Sequence, residues 1–237
     1  MTAFAAIFAG GTGQRYGNDS APKQYVNLAG FPVILHVLFA IADSQSIRDV
    51  VIGAEPAWHK FLSKHLTHDD LRSLRVDLVD AGETAHQTRV ACLEWAGRSL
   101  ADNPTAVLVD AVRPLVQADD FDQATELARR FGSAIAVKPS VETIIYSAED
   151  GSETASLPRS RLCVAAAPQA ASLDLCLQSH YSLSAKDHPD VAIDLCSLLI
   201  AHGVRPHFFP TAPENFKITY RADLLSAEAI LQSRRCL

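Results

Sequence analysis

The sequence predicts an α/β fold in which a doubly wound, mostly parallel sheet of the nucleotide-binding, Rossmann-like type carries one β-hairpin arm. Three observations predict this class. Short apolar segments alternate with helical segments along most of the chain, which is typical of βα units in a parallel sheet. A glycine-rich loop at residues 9–17 follows the first apolar segment, and a segment with charged residues at 110–114 follows the apolar segment 105–109. Open parallel sheets bind ligands at such positions, outside the carboxyl ends of their strands.

The composition narrows the class of protein. With 237 residues, of which 48% are hydrophobic, the chain can bury a full core, and we expect a single domain over residues 1–237. The net charge of −6 argues against a nucleic-acid partner. No apolar stretch is long enough to span a membrane, and the first residues lack the features of a signal peptide. The five cysteines are scattered without a CxxC pair, which predicts reduced thiols in a cytoplasmic protein.

The first strand and the loop after it carry the strongest signal. Residues 3–8 are apolar without interruption, as in a strand buried on both faces of a parallel sheet. Three glycines within residues 10–13 allow a tight turn whose backbone N–H groups can bind an anion, and Arg15 and Lys23 add positive charge. The loop lacks the Gly-Lys-Ser/Thr of a P-loop, and Tyr16 stands where the dinucleotide fingerprint needs glycine.

The remaining elements follow the same alternation. One segment breaks the pattern: residues 141–146, a polar turn at 149–151 and a second segment to 164 predict a β-hairpin. We expect residues 138–164 to protrude, because this hairpin is too long and too polar at its tip for a central parallel sheet. Further strands are predicted at 50–53, 75–79, 105–109, 133–137 and 206–210, and helices at 32–43, 59–65, from Thr84 or Thr88 through Trp95, 119–131, 173–179, 192–202 and 222–233.

The chain contains four motifs: AGGTGQRYG at 9–17 followed by PKQ at 22–24, DAVRP at 110–114, PQ at 168–169 and NFKIT at 215–219. Together they resemble the motifs of the sugar-phosphate cytidylyltransferases. These are the 2-C-methyl-D-erythritol 4-phosphate cytidylyltransferases and their relatives, the D-ribitol-5-phosphate cytidylyltransferases. The resemblance runs nearly end to end, and Phe8 before the loop and DAVRP in place of DAARP favour the ribitol-phosphate branch.

The resemblance implies transfer of CMP from CTP to a polyol phosphate, with release of pyrophosphate. The expected acceptor is D-ribitol 5-phosphate, which gives CDP-ribitol for a surface polymer such as teichoic acid. The alternative acceptor is 2-C-methyl-D-erythritol 4-phosphate, of isoprenoid biosynthesis, and a second alternative is a nucleotide-binding subunit that has lost turnover. The resemblance also implies a homodimer in which the hairpin arm embraces the second subunit; the other possibility is an antiparallel flap on its own monomer.

The resemblance assigns roles to individual residues. Arg113 either binds substrate phosphate or pins its loop. Asp110 follows a buried strand, and its hard oxygen ligands suit Mg²⁺, the expected cofactor, with Glu214 as a weaker second ligand. The implied catalytic residues are Arg15, Lys23 and Lys217; the CTP-binding residues are Ala9, Gly10, Gly11, Thr12, Gly13, Gly82, Glu83, Thr88 and Asp110; the substrate-phosphate-binding residues are Arg113, Thr143, Arg159 and Asp194.

The chain departs from the pattern of the family mostly around the acceptor. Ala85 stands where the family has an arginine, and Arg89, one helical turn further on, could compensate in part. Ala167 and Ile193 replace threonines, and Glu142 replaces an aspartate on the arm. The nucleotide-binding motifs are intact, so these departures bear on the acceptor and not on the nucleotide.

Overall fold

Seven strands form one central sheet in the computed structural model of the chain, which describes residues 2–11, 16–17, 21–148, 150–152, 154–182 and 194–235. The strands of the described residues, including two separate pairs, β2-β3 and β8-β9, outside the central sheet, are β1 (Ala3–Phe8), β2 (Asn27–Leu28), β3 (Phe31–Pro32), β4 (Asp49–Ala54), β5 (Arg75–Asp80), β6 (Thr105–Asp110), β7 (Ser133–Pro139), β8 (Ile145–Ser147), β9 (Thr154–Ser156), β10 (Cys163–Ser172) and β11 (His207–Pro210). The helices are α1 (Val33–Asp43), α2 (Pro56–His65), α3 (Ala85–Ser99), α4 (Ala118–Phe131), α5 (Leu173–Ser182), α6 (Leu195–Ala201) and α7 (Arg221–Arg235).

The central sheet is mostly parallel, as predicted. Its order is β11-β7-β10-β6-β1-β4-β5, and only the two pairs that contain β10 are antiparallel. Sequence patterns do not predict β10 beyond residue 164, because its alanine-rich run lacks β-branched residues and contains Pro168. This proline lies where the pairing with β7 shifts register, between Ala165 and Gln169. A strand that breaks the parallel order therefore lies beside β6, next to the predicted site.

The predicted hairpin is confirmed in the described part of the arm. Strands β8 and β9 pair antiparallel, with Ile145 opposite Ser156. The arm is joined to the central sheet where Cys163 of β10 pairs with Pro139 of β7. The hairpin strands are shorter than predicted, and Glu149 of the predicted turn lies outside the described residues.

Helices cover both faces of the sheet, which explains the uninterrupted apolar sequence of β1. Ala5 and Ile7 belong to a buried cluster with α1 and α4, whereas Phe4 and Ala6 belong to a second cluster with α3, α5 and α6. Successive side chains of a strand point to opposite faces, so both sets must be apolar. Within the described residues, no helix is long and apolar enough to cross a membrane.

A third, smaller cluster joins distant parts of the chain beside the carboxyl edge of the sheet. It contains Tyr16 after the glycine-rich loop, Val112 after β6, and Ile218 near the end of the chain. The backbone N–H of Ile218 donates to the oxygen of Val112 at 2.9 Å. This packing holds the NFKIT segment against the DAVRP segment.

Candidate active site

The glycine-rich loop is held in place by the buried side chain of Gln24. Its Nε2 donates to the carbonyl oxygens of Ala9, at 2.7 Å, and Gly11, at 2.9 Å. The hydroxyl of Tyr25 donates to the same Ala9 oxygen at 3.3 Å. The PKQ turn therefore fixes the path of the loop, and it also carries Lys23 to the wall of the adjacent cleft.

A cleft beside the loop, called the loop cleft below, is lined by most of the predicted nucleotide-binding residues. Ala9 is buried directly behind the loop. Thr12, Gly13 and Arg15 lie outside the described residues, so their roles stay predictions. Of the predicted set, the residues that reach the cleft wall are Gly10, Gly11, Lys23, Gly82, Glu83, Thr88, Asp110 and Lys217.

Thr88 packs tightly against glycines at the inner end of this cleft. A Cβ on Gly10 would lie 2.6 Å from the Cβ of Ala81 and 3.3 Å from Oγ1 of Thr88, so only glycine fits there. The Thr88 hydroxyl accepts from the N–H of Gly82 and donates to the Thr84 oxygen, both at 3.1 Å. Thr84 itself begins α3 with a capping box, so the first of the two predicted helix starts is confirmed.

Asp110 lies at the centre of the site, between two cations. Its Oδ2 accepts from Nε of Arg113 and its Oδ1 from Nζ of Lys217, both at 2.9 Å. Burial raises the pKa of the Asp110 carboxyl, but the charges and hydrogen bonds of Lys217 and Arg113 outweigh burial and hold that pKa well below its usual range. The group is therefore a carboxylate at any physiological pH.

The buried Asn215 positions the segment that carries Lys217. Its Nδ2 donates to the Ala167 oxygen at 2.7 Å and to Oγ1 of Thr211 at 3.0 Å. The backbone carbonyl oxygen of Asn215 accepts from Nη1 of Arg113 at 3.2 Å. Arg113 therefore pins its loop to the end of the chain, one of the two roles that the sequence left open.

A second pocket, of about 200 Å³, adjoins the first beside β10. The two share part of their lining, namely Phe8, Arg89, Asp110 and Lys217. Asp194 also lines the second pocket, where its Oδ2 accepts from Nε2 of Gln169 at 2.9 Å. One group of side chains thus lies on the border between two cavities, as transfer between two substrates requires.

The predicted substrate-phosphate residues fall in two places. Arg113 and Asp194 line the second pocket. Thr143 and Arg159 are exposed on the arm and line neither pocket of their own chain; Nη1 of Arg159 donates to the Val141 oxygen at 3.3 Å. Ile193 lies outside the described residues.

The site offers one carboxylate that fits a hydrated metal ion. Mg²⁺ is often bound through one or two carboxylates together with waters and substrate phosphates, and Asp110 suits such an ion. Glu214 is exposed and lines neither pocket. Among the described residues there is no group of three or more His, Cys, Asp or Glu side chains that could hold a metal. The Mg²⁺ cofactor and its ligands stay predictions.

Sequence reasoning missed the residues that orient others. Gln24, Gln169 and Asn215 are buried amides, and each has at least one partner that is distant in the chain, so no local pattern reveals them. The signal that was available is their place inside the PKQ, PQ and NFKIT motifs. Arg89 was considered only as a substitute for a missing arginine, and the structure places it on the border of both pockets.

Sequence comparison relates the chain to cytidylyltransferases over nearly its whole length. The ribitol-5-phosphate cytidylyltransferase of Vibrio parahaemolyticus is 30% identical over 233 residues, which cover 98% of this chain and 97% of that protein. The D-ribitol-5-phosphate cytidylyltransferase of Xenopus tropicalis is 32% identical over an alignment of 233 residues, and the match covers 94% of this chain. The match spans only 55% of the Xenopus protein.

Structural comparison supports the fold. The 4-diphosphocytidyl-2C-methyl-D-erythritol synthase of Anaerococcus prevotii superposes with a TM-score of 0.80 at 19% identity, over 98% of both chains. The 2-C-methyl-D-erythritol 4-phosphate cytidylyltransferase of Francisella tularensis superposes with a TM-score of 0.76 at 21% identity, over 97% of this chain and 99% of that one. A family model described as IspD, 2-C-methyl-D-erythritol 4-phosphate cytidylyltransferase, matches residues 3–233. The resemblance is thereby confirmed, and the chain belongs to the IspD family of cytidylyltransferases.

Proposed function

We propose that the protein transfers CMP from CTP to D-ribitol 5-phosphate and releases pyrophosphate and CDP-ribitol. One observation carries this proposal: the 2.9 Å contact between Lys217 and Asp110 lies where the loop cleft meets the second pocket. The two relatives at 30% and 32% identity, which are named for ribitol 5-phosphate, support the choice of acceptor.

The two cavities suit the two substrates of such a transfer. CTP fits the loop cleft, with its triphosphate near Lys23 and its base near Gly82 and Thr88. Backbone N–H and carbonyl groups there can distinguish the 4-amino group of cytosine from the oxygen of uracil. The polyol phosphate fits the second pocket, where the Asp194 carboxylate can accept hydrogen bonds from hydroxyl groups.

The reaction needs positioning and charge neutralisation more than a covalent intermediate. An oxygen of the acceptor phosphate attacks the α-phosphorus in line, a new P–O bond forms, and the bond to the β-phosphate oxygen breaks as pyrophosphate leaves. Lys217, which pairs with Asp110 in the free protein, is placed to move onto the α-phosphate and stabilise its negative charge.

We propose a Mg²⁺ cofactor held by Asp110, with Glu214 as a weaker candidate ligand. When bound, the ion supplies positive charge to the phosphates. The position of Asp110 at the junction of the cavities supports its role.

We propose a homodimer formed through the arm, in the cytoplasm. The arm exposes several large apolar side chains close together in the sequence, including Val141 at 75% and Ile145 at 56%, which a second subunit could cover. Thr143 and Arg159 line neither the loop cleft nor the second pocket of their own chain, which is the placement expected if they complete the acceptor pocket of the second subunit. The cytoplasmic location is supported by the free thiols of Cys92, Cys163, Cys176 and Cys196.

The second candidate acceptor is 2-C-methyl-D-erythritol 4-phosphate. It is favoured by the description of the family model, which covers residues 3–233. The names of the two relatives weigh against it.

Pyrophosphate release tests the proposal. The protein is incubated with CTP, Mg²⁺ and either ribitol 5-phosphate or methylerythritol phosphate. Release with ribitol 5-phosphate is expected, whereas release with methylerythritol phosphate alone would replace the first acceptor by the second. Measurable CTP binding with no release from either acceptor would indicate a nucleotide-binding subunit without turnover.

A further inference from the structure

Arg89 lies on the border of the two pockets. It follows Thr88 in α3, is half-buried, and lines both the loop cleft and the second pocket. Its Cζ lies 5.4 Å from the centre of the Phe8 ring, within the range of a cation–π contact. The aromatic ring at the end of β1 thus supports the guanidinium where the two substrates would meet.

Two carboxylates influence this guanidinium. Burial lowers the pKa of Arg89, and the charges of Asp110 and Asp194 raise it. The group is protonated in either case, because an arginine keeps its charge in proteins. Arg89 therefore adds a permanent positive charge that interacts with the carboxylates of both Asp110 and Asp194.

Both carboxylates are already committed to other donors. Asp110 accepts from Arg113 and Lys217. Asp194 accepts from the N–H and hydroxyl of Ser197 at the start of α6 and from Gln169. Other donors therefore contribute to the position of each aspartate.

The charge balance of the second pocket shows what Arg89 contributes. Among the described residues, its lining contains three cations, Arg89, Arg113 and Lys217, and two anions, Asp110 and Asp194. This described part of the lining is positive by one charge with Arg89 and neutral without it. A phosphate monoester carries about −1.5 to −2 charges at neutral pH, so a neutral pocket would not attract it.

We propose that Arg89 binds the phosphate group of the acceptor and holds its attacking oxygen at the border of the two pockets. This inference rests on the proposed function. A guanidinium suits the role because its planar donors can bind two oxygens of one phosphate, which fixes the orientation of the third. The arm residues of a second subunit would add to this site, whereas Arg89 belongs to the chain that binds the CTP.

The test compares Arg89→Gln and Arg89→Lys with a matched control, Arg98→Gln. Arg98 lies on the same helix, and its side chain is 69% exposed and 3.7 Å from Glu94. Calorimetry measures the binding of CTP, ribitol 5-phosphate and ribitol to each protein, steady-state assays give KM for each substrate, and thermal unfolding monitors the fold.

We expect Arg89→Gln to weaken ribitol 5-phosphate binding roughly ten- to a hundredfold, as for the loss of a charged hydrogen bond. CTP binding should change less than about twofold, and the binding of unphosphorylated ribitol should not change. Arg89→Lys should recover part of the affinity, and Arg98→Gln should behave as wild type. A merely structural role would weaken both substrates together and lower the unfolding temperature.

The outcomes separate the two proposals. If the wild type binds and turns over ribitol 5-phosphate and Arg89→Gln does so equally well, the assignment of Arg89 is wrong and the proposed function stands. If the wild type uses only methylerythritol phosphate, the proposed acceptor is wrong; weaker binding of that phosphate by Arg89→Gln would still support the assignment of Arg89, and equal binding would refute it. If the wild type binds neither polyol phosphate, both proposals are wrong.

Discussion

Nζ of Lys217 lies 2.9 Å from Oδ1 of Asp110, although 107 positions separate the two residues in the chain. This pair joins the segment before α7 to the carboxyl end of β6. It keeps the lysine charge inside the site before any substrate arrives. Since the pair lies where the two pockets meet, an incoming phosphate can take the place of the carboxylate as the partner of Lys217.

Replacing Lys217 should affect turnover more than folding. We expect Lys217→Ala to lower kcat by roughly a hundred- to a thousandfold, as for the loss of one preorganised donor to a transition state. Pyrophosphate release measures the effect, and Lys60→Ala on the exposed face of α2 is the control. Undiminished turnover would refute the role of Lys217.

Replacing Gln24 should loosen the glycine-rich loop. Gln24→Ala leaves the carbonyl oxygens of Ala9 and Gly11 without this donor, and we expect a loss of about 1–3 kcal/mol of unfolding free energy. KM for CTP should rise while KM for the acceptor changes little. Urea unfolding and kinetics test this, with Gln123→Ala on the surface of α4 as the control. A normal CTP KM would show that the loop keeps its shape without Gln24.

The buried His180 should make the fold sensitive to acid. Burial, together with the charges of His86 and Arg89, lowers the pKa of His180 to about 3. The unfolded chain binds this proton near pH 6.5 and the folded chain does not, so stability is lost as the pH falls from about 6.5 toward 3. The expected slope is at most about 1.4 kcal/mol per pH unit.

The variant His180→Leu removes this contribution. Urea unfolding at pH 7.5, 6.0 and 5.0 should show a shallower loss of stability in the variant than in the wild type. A variant with the wild-type slope would mean that other groups govern acid unfolding.

A charge on the arm should weaken the proposed dimer. Ile145 of β8 is 56% exposed, and burying a lysine in its place against a second subunit is unfavourable. Sedimentation at micromolar concentration should show Ile145→Lys shifted toward monomer, with reduced acceptor turnover. Leu225→Lys, at an exposed position of α7, is the control. A wild-type protein that sediments as a monomer would refute the arm exchange.

Local sequence patterns were sufficient where a residue depends on its neighbours in the chain. The apolar run of β1 and the capping threonine of α3 each express a short-range requirement of burial or backbone geometry. The same reasoning does not predict β10, since alanine and proline are unusual in a central strand. Pro168 lies where the register shifts, between Ala165 and Gln169.

The sequence by itself determined the fold class, because its apolar segments alternate with helical ones, and its motifs, through their resemblance to a known family, singled out the glycine-rich loop and the charged residues. Only the tertiary structure decided how those charges meet: Lys217 with Asp110, Arg113 with the backbone of Asn215, and Arg89 above the ring of Phe8. Such contacts depend on packing between segments far apart in the chain, and the free energy of that packing has no signature in any short stretch of sequence.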